Sequence, residues 1–395
     1  MINPSALGWI DKFLSQNNNA IFPLKSWEDV YFDIQQTGFI YGHVISLQAP
    51  KTTILKNWTV DETTKIVLLN ALYLVFVQQT NTTTTDVFLE KTIQFYKKSV
   101  PQNTFFFSEW FKAEKSSSKL EGILDARIQT NSNFISKNFS HIVTNALLFI
   151  DVLAFQYFLE NDDLADNFLK KIEENCLYIV SKALQTKTEK TTYDDLLLKL
   201  FKNSLRFTSF SDKKNAETEF DWKPFGTILE KYYYIDLAEM ALWNDAVLEP
   251  SENDFLMRLV ENLGLEEQKF KKNHSNIGEF IKKYKHEIPY FKFSNPVKHF
   301  YDNTTQNVSK LILRNKKRLI QEVSESKELM VLLTQSTTRK LDETEKKKIK
   351  KQLLDICKTI PSLTIFLLPG GGLLLPILIK FIPQLLPSAF NENLE

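Results

Sequence analysis

Glycine, cysteine and histidine are scarce in this chain of 395 residues, and their scarcity excludes several classes of protein. Only ten glycines occur and no GxGxxG or GxxxxGK[ST] motif is present, so a doubly wound nucleotide-binding fold is excluded. The two cysteines and five histidines show no metal-binding spacing, which excludes a zinc site and a disulfide framework. The 49 basic residues nearly balance the 48 acidic ones, so the positive excess that direct nucleic-acid binding requires is missing.

Catalytic motifs are missing as well. The sequence contains no GxSxG and no HExxH. Asp162 and Asp163 are sequence neighbours, and neighbours on a helix point about 100° apart, so they do not pair as general acid and base. We therefore predict that the protein is not an enzyme and uses no cofactor.

Hydrophobic periodicity favours helices over most of the chain. Apolar residues recur at three- and four-residue steps over 65–78, 141–158 and 168–184. The apolar run 66–77 is too short for a membrane span, and 142–159 contains Asn145 and Asp151, so we predict both as buried core helices. No alternating pattern flanked by Asn-Gly or Asp-Gly turns predicts strands. The fold class is predicted as all-α, with one or more multi-helix bundles facing the cytoplasm.

Charge divides the chain unevenly and suggests four units. Residues 310–351 carry 13 basic and 6 acidic residues, whereas 1–309 carry 34 basic and 39 acidic residues. We predict an N-terminal helical domain at 1–210, a second helical region at 220–300, basic charged helices at 301–358 and a membrane segment at 359–390.

The last unit begins with an uncharged apolar run. Residues 360–379 read IPSLTIFLLPGGGLLLPILI, and twenty such residues match the ~30 Å hydrocarbon layer of a bilayer. Prolines and glycines interrupt the run, so a broken helix or a re-entrant hairpin competes with a straight span. The residues predicted to form the membrane anchor are Pro361, Pro369, Gly370, Gly371, Gly372, Pro376, Lys380, Pro383 and Pro387.

Lysines precede this run and place the bulk of the chain on the cytoplasmic side of the membrane. The lysines predicted to meet anionic lipid headgroups are Lys346, Lys347, Lys348, Lys350 and Lys351. The first 16 residues lack the basic start and apolar stretch of a secretory signal. We expect the bacterial inner membrane as the location.

The segment 360–390, IPSLTIFLLPGGGLLLPILIKFIPQLLPSAF, resembles the transmembrane region of the Letm family, the leucine-zipper/EF-hand-containing transmembrane proteins. Its proline entry, Leu-Leu-Pro, Lys-x-x-Pro and closing Leu-Pro-Ser-x-Phe occur in the family's register. The charged helix at 341–361 is similar to the family helix that enters the membrane. Size and layout look like the bacterial Letm-related proteins named for association with biofilms.

This resemblance implies roles in cation/proton exchange and in ribosome binding through a domain after the membrane segment. Gly372 stands where the family usually has an acidic residue, the expected carrier of protons or cations. The printed sequence ends five residues after Phe390, so we expect the family's ribosome-binding domain to be missing.

A second resemblance lies at 232–265, which is similar to the helical TerB-like tellurite-resistance domains. There Asp245 and Glu252 correspond to the acidic residues of a turn between two helices. These two carboxylates could share a divalent cation, since hard cations favour oxygen ligands. Alternatively, Glu252 begins a helix and interacts with the positive end of the helix dipole.

Three functions follow as hypotheses. The first is an inner-membrane-anchored helical protein with an accessory role in envelope or cation homeostasis, or in docking a partner. The second is a cation/proton transporter that oligomerises through its C-terminal segments. The third is a soluble helical module for protein interaction. The expected partners are membrane lipid and a protein or a second copy of the chain, with the ribosome added by family analogy.

Overall fold

The computed structural model describes residues 2–17, 24–48, 52–54, 58–99, 115–132, 146–165, 167–187, 226–242, 249–284, 312–339, 341–360 and 363. Nearly all regular structure in these ranges is helical, which confirms the predicted all-α class. In chain order the elements are α1 (Trp9–Asn17), α2 (Trp27–Gln36), a 3-10 helix (Phe39–Tyr41), β1 (Ser46–Gln48), β2 (Thr52–Ile54), α3 (Val60–Thr80), α4 (Thr85–Ser99), α5 (Ser116–Ser132), α6 (Phe149–Asn161), α7 (Phe168–Thr186), α8 (Ile228–Leu242), α9 (Pro250–Asn262), α10 (Glu267–Tyr284), α11 (Lys316–Glu325), α12 (Lys327–Thr338) and α13 (Glu343–Thr359).

A short antiparallel ribbon is the exception to the helical pattern. β1 pairs with β2, with Leu47 opposite Thr53. Each strand is three residues long, which is too short to produce the period-two alternation by which a strand is recognised in a sequence. The sequence pattern therefore gave no signal for this ribbon.

The longest described helix, α3, shows how local sequence sets its ends. The Thr59 side chain accepts a hydrogen bond from the Glu62 amide at 3.3 Å, and the Glu62 carboxylate accepts one from the Thr59 amide at 2.9 Å. This reciprocal capping box begins the helix. Asn81 ends it in the left-handed region, at φ 51°.

The larger hydrophobic core unites α1 to α10 and buries residues from Trp9 to Ile281. α3 packs against α6, and α7 packs against α8. The run 66–77 and the described part of the run 142–159 lie inside this core, since α3 and α6 bury side chains around most of their circumference. Tyr31 of α2 stacks on Tyr232 of α8 with ring centroids 5.3 Å apart, which fixes α2 against the bundle.

An ion pair lies inside this core between α5 and α6. The guanidinium of Arg127 donates two hydrogen bonds to the carboxylate of Asp151, of which the Nε–Oδ2 bond measures 2.7 Å. The hydroxyl of Tyr96 donates a third, at 3.2 Å. All three residues are buried. Burial and the neighbouring Asp151 raise the pKa of Tyr96 well above its ordinary value.

A second, smaller core holds α11, α12 and α13 together. Its buried residues include Leu319, Val323, Leu333, Leu353 and Cys357. The core continues past the end of α13 to Ile360 and Leu363, which are both buried. Its three helices make up the unit that immediately precedes the apolar run.

Candidate functional site

α13 is the helix that leads to the apolar run, and its start is fixed by side-chain hydrogen bonds. Asp342 accepts a bond from the Glu345 amide at 2.8 Å, and Glu345 accepts one from the Asp342 amide at 2.9 Å. Arg339 donates two further bonds to the Glu345 carboxylate, at 2.8 and 2.6 Å. The hydrogen bonds from Arg339 are the main cause that lowers the pKa of Glu345 to about 2.

The five lysines predicted to meet lipid headgroups all lie exposed on α13. Lys346 pairs with Glu343 at 2.7 Å, and Lys348 pairs with Glu328 of α12 at 2.8 Å. Within the described residues, Lys347, Lys350 and Lys351 have no carboxylate at ion-pair distance. These three ammonium groups are therefore available to an external anion, while their contact with lipid stays a prediction.

The C-terminal end of α13 is held by α11. The Nη2 of Arg318 donates to the carbonyl oxygen of Thr359 at 2.6 Å and satisfies a carbonyl at the end of the helix. Ser326, at the other end of α11, donates to Gln352 at 3.0 Å. α11 therefore runs antiparallel to the last turns of α13. The direction in which the chain leaves this unit is fixed before the apolar run continues.

An ion pair between the partly buried Arg314 and the buried Glu62 joins this unit to the larger bundle. Arg314 donates to both carboxylate oxygens of Glu62 in α3, and the hydroxyl of Ser5 donates to the same carboxylate. We call Ser5, Glu62 and Arg314 the junction. Burial by itself raises the pKa of Glu62, but the hydrogen bonds from Arg314 and Ser5 outweigh burial, so the pKa lies below its ordinary value.

Replacing Arg314 with methionine is expected to lower the free energy of unfolding by about 1–3 kcal/mol, because the buried Glu62 carboxylate loses its charged donor. Urea denaturation measures the change. Arg339→Met is the matched control, since Arg339 and Glu345 form an exposed pair whose loss changes stability little. Equal stabilities for Arg314→Met and the wild type would show that the junction does not hold the two units together.

Asp245 and Glu252 were predicted as possible cation ligands. Asp245 lies outside the described residues. Glu252 is buried in the first turn of α9, where its carboxylate accepts a hydrogen bond from the Glu249 amide at 2.9 Å. This contact matches the helix-start alternative. Over the part of the chain that the structure describes, no three His, Cys, Asp or Glu side chains gather as metal ligands.

A buried polar cluster around Asp236 of α8 was not predicted. Its carboxylate accepts hydrogen bonds from Tyr31 at 2.6 Å, Gln35 at 2.8 Å and Asn273 at 2.7 Å, with Tyr41 at 3.4 Å. These donors are all neutral. Burial therefore raises the pKa of Asp236 to about 6, although the hydrogen bonds lower it. The donors come from α2, the 3-10 helix and α10, so no local motif signals the cluster.

Glu239 lies one turn after Asp236 and pairs with a histidine of α10. Its Oε1 is 2.6 Å from Nδ1 of His274. Burial raises the pKa of Glu239 to about 7, and the hydrogen bond from Glu239 raises that of His274. Asn273 bonds to Asp236 and His274 bonds to Glu239, so two consecutive residues of α10 form hydrogen bonds with α8. The contact between α8 and α10 therefore contains two titratable groups with raised pKa values. Of these two side chains, Glu239 is buried and His274 is about half exposed.

The structure does not describe the residues of the predicted membrane anchor. All nine of its residues, from Pro361 to Pro387, lie outside the described residues. Among the helices that the structure does describe, none combines the length and the apolar character that crossing a bilayer requires.

The comparison with protein families matches this end of the chain. Residues 341–395 match the family model described as LETM1-like, RBD, so all of α13 and the whole apolar run lie within the match. The match supports the resemblance to the Letm family over 55 of the 395 residues. The resemblance to the biofilm-associated type and to TerB-like domains stays a prediction. No curated protein and no solved structure matches the chain.

RBD denotes the ribosome-binding domain, and the match bears on where that domain was expected. The resemblance to the Letm family predicted that domain after the membrane segment, beyond the last printed residue. The match to the family model named for it instead begins before the apolar run and includes it. The residues that carry the match were identified in the sequence, but they were assigned only to the membrane segment and its entry helix.

Proposed function

We propose that this protein is a Letm-like, membrane-anchored helical docking protein with an accessory role in cation homeostasis. The apolar run after Leu363 enters the bacterial inner membrane, and the larger bundle remains on the cytoplasmic side to recruit a partner. The family match over 341–395 is the observation that carries the proposal. The exposed lysines of α13 and the fixed end of that helix support it.

Membrane fractionation of the full chain tests the anchor. A variant that lacks 365–395 retains Ile360 and Leu363, which belong to the second core, so its described helices are expected to stay folded. The full chain is expected in the membrane fraction after a carbonate wash, and the shortened chain in the supernatant. A full chain that stays in the supernatant after lysis without detergent would favour the soluble interaction module.

A length-matched variant separates insertion from other effects of the deletion. Leu374→Lys with Leu375→Lys keeps the chain length but places two charges in the apolar run. Each lysine at the centre of a bilayer costs about 2.5–3.5 kcal/mol on insertion scales, so this variant is also expected in the supernatant. If it remains in the membrane fraction, the apolar run is not the anchor.

The ribosome is the partner that the family match favours. Lys347, Lys350 and Lys351 are exposed without ion pairs to the described residues and would attract phosphate groups. Co-sedimentation of the detergent-solubilised chain with ribosomes is expected at low salt and should weaken as salt rises. The triple variant Lys347→Gln, Lys350→Gln, Lys351→Gln should sediment less. A triple variant that sediments like the wild type would exclude these lysines as the contact.

Transport of cations is the competing role for the same segment. It requires an oligomer that surrounds a path through the proline-broken run, and Gly372 leaves that run without the family's acidic residue. Proteoliposomes decide between the two roles. Cation flux above the level of lipid controls would favour a transporter over an accessory protein.

A further inference from the structure

The lysines predicted at the headgroups do not all lie at the end of α13 from which the chain leaves. Lys346 and Lys347 precede Thr359 by about 12–13 residues, or ~18–20 Å along the helix axis at 1.5 Å per residue. Electrostatic attraction in physiological salt is screened over about 8 Å. A membrane that meets the chain after Thr359 therefore lies beyond the effective reach of this pair if α13 stands upright.

A different basic pair lies at that end. Arg318 bonds to the last turn of α13, and α11 runs antiparallel to α13, so Lys316 and Lys317 lie at or beyond the end of α13. Both are exposed and have no ion pair within the described residues. The packing of α11 thus brings two cations, remote in sequence, to the point where the chain continues into its apolar run.

Exposed apolar residues accompany this pair. Leu313, 61% exposed, adjoins Arg314 of the junction, and Leu7, 88% exposed, follows two residues after Ser5. Val60, 40% exposed, precedes Glu62 by two residues. The other exposed large hydrophobic residues of the described chain are Leu24 and Val87. Leu24 lies near the opposite end of α3, because the backbone of Lys25 bonds to Gln78, and Val87 lies in α4, which follows that end.

Hydrogen bonds hold these apolar residues in place. The amides of Gly8 and Ile10 donate to the buried carboxylate of Glu121 at 3.1 and 3.0 Å, which fixes the turn that carries Leu7. The junction fixes the segment before α11 in the same way. Leu7 and Leu313 are thus exposed on segments that hydrogen bonds hold in place.

We propose that Leu7, Val60, Leu313, Lys316 and Lys317 form a membrane-facing surface whose occupant is an anionic lipid leaflet. Lys316 and Lys317 contact the headgroups, and the two exposed leucines enter the interfacial layer. This inference rests on the proposed anchor, because the continuity with the apolar run identifies lipid rather than protein as the occupant. The positive charges of Lys316 and Lys317 also complement the negative charge of an anionic leaflet.

Depth-dependent fluorescence quenching tests the surface in the full chain. A single environment-sensitive nitrobenzoxadiazole label is placed at Leu7→Cys, Leu313→Cys or, as control, Leu24→Cys. The native Cys176 and Cys357 are buried, and burial raises the pKa of both thiols, so labelling favours the introduced site. The labelled chains are reconstituted into vesicles of phosphatidylcholine and phosphatidylglycerol that contain spin-labelled lipid.

Strong quenching at positions 7 and 313 with little at position 24 is the expected result. Equal quenching at all three positions, or none at 7 and 313 in chains that float with the vesicles, would overturn the surface while leaving the anchor intact. Chains that do not float with the vesicles would overturn both the anchor and the surface.

Paired charge variants give an independent readout. With the shortened chain that lacks 365–395, Lys316→Gln with Lys317→Gln is expected to weaken binding to phosphatidylglycerol vesicles about 25-fold, since each lysine near an anionic surface adds roughly a factor of five. Lys346→Gln with Lys347→Gln removes the same charge at a greater distance and is expected to change binding less than about threefold. An equal or larger effect of Lys346→Gln with Lys347→Gln would contradict the proposal that Lys316 and Lys317 contact the headgroups.

Discussion

Replacing Arg127 with methionine is expected to lower the free energy of unfolding by about 3–5 kcal/mol, because it leaves the buried carboxylate of Asp151 without its charged partner. In the wild type, Asp151 accepts two bonds from Arg127, and only the weaker bond from Tyr96 remains in the variant. Urea denaturation at neutral pH measures the loss. The effect is large because α5 and α6 meet at this pair inside the core.

A double variant separates the cost of an unpaired charge from the value of the pair. Arg127→Met combined with Asp151→Leu removes both charges and is expected to regain most of the lost stability, since apolar side chains often replace a buried ion pair without loss. Lys98→Met serves as an exposed control, because its pair with Asp163 lies at the surface. If the double variant is less stable than Arg127→Met, the unpaired charge of Asp151 is not the cause of the stability lost in Arg127→Met.

Stability is expected to fall between pH 5 and pH 8 by about 2–4 kcal/mol through Asp236 and Glu239, at 1.36 kcal/mol per unit of pKa shift. Burial raises the pKa of Asp236 from 3.8 to about 6 and that of Glu239 from 4.5 to about 7. The folded protein therefore binds more protons than the unfolded chain across this range. By linkage, the stability that protonation supplies is lost as the pH rises through the folded pKa values.

His274 contributes with the same sign, because its pKa is also raised in the folded protein. Urea denaturation at a series of pH values gives the slope. Glu239→Gln is expected to remove more than half of it, and Glu345→Gln is expected to leave it unchanged, since the pKa of Glu345 is about 2. A wild type whose stability rises from pH 5 to pH 8 would show that the two buried carboxyl groups do not dominate the pH dependence.

Local signals in the sequence are sufficient for several of the helices. The period of apolar residues predicted α3 and α7, and the Thr59-x-x-Glu62 spacing is the signature of the capping box that begins α3. Such features depend on residues three or four positions apart. They can be identified before any tertiary contact is known.

The other parts of the candidate site are formed by contacts between residues that are far apart in the sequence. Tyr31 and Asp236 are 205 residues apart, and Arg314 and Glu62 are 252 residues apart. No spacing rule connects them, because packing of the intervening helices decides which side chains meet. The basic runs at 316–318 and 346–348 look alike in sequence, and the bond from Arg318 to Thr359 identifies which of them lies near the end of α13.

Burial of Ile360 and Leu363 in the second core shortens the apolar run that the proposed anchor has for crossing a bilayer. Of the uncharged residues 360–379, those after Leu363 number 16, which as a continuous helix extend only ~24 Å. The hydrocarbon layer is ~30 Å thick, so a straight crossing would draw Lys380 toward the far headgroups and thin the surrounding lipid. A segment that turns back within one leaflet needs neither adjustment.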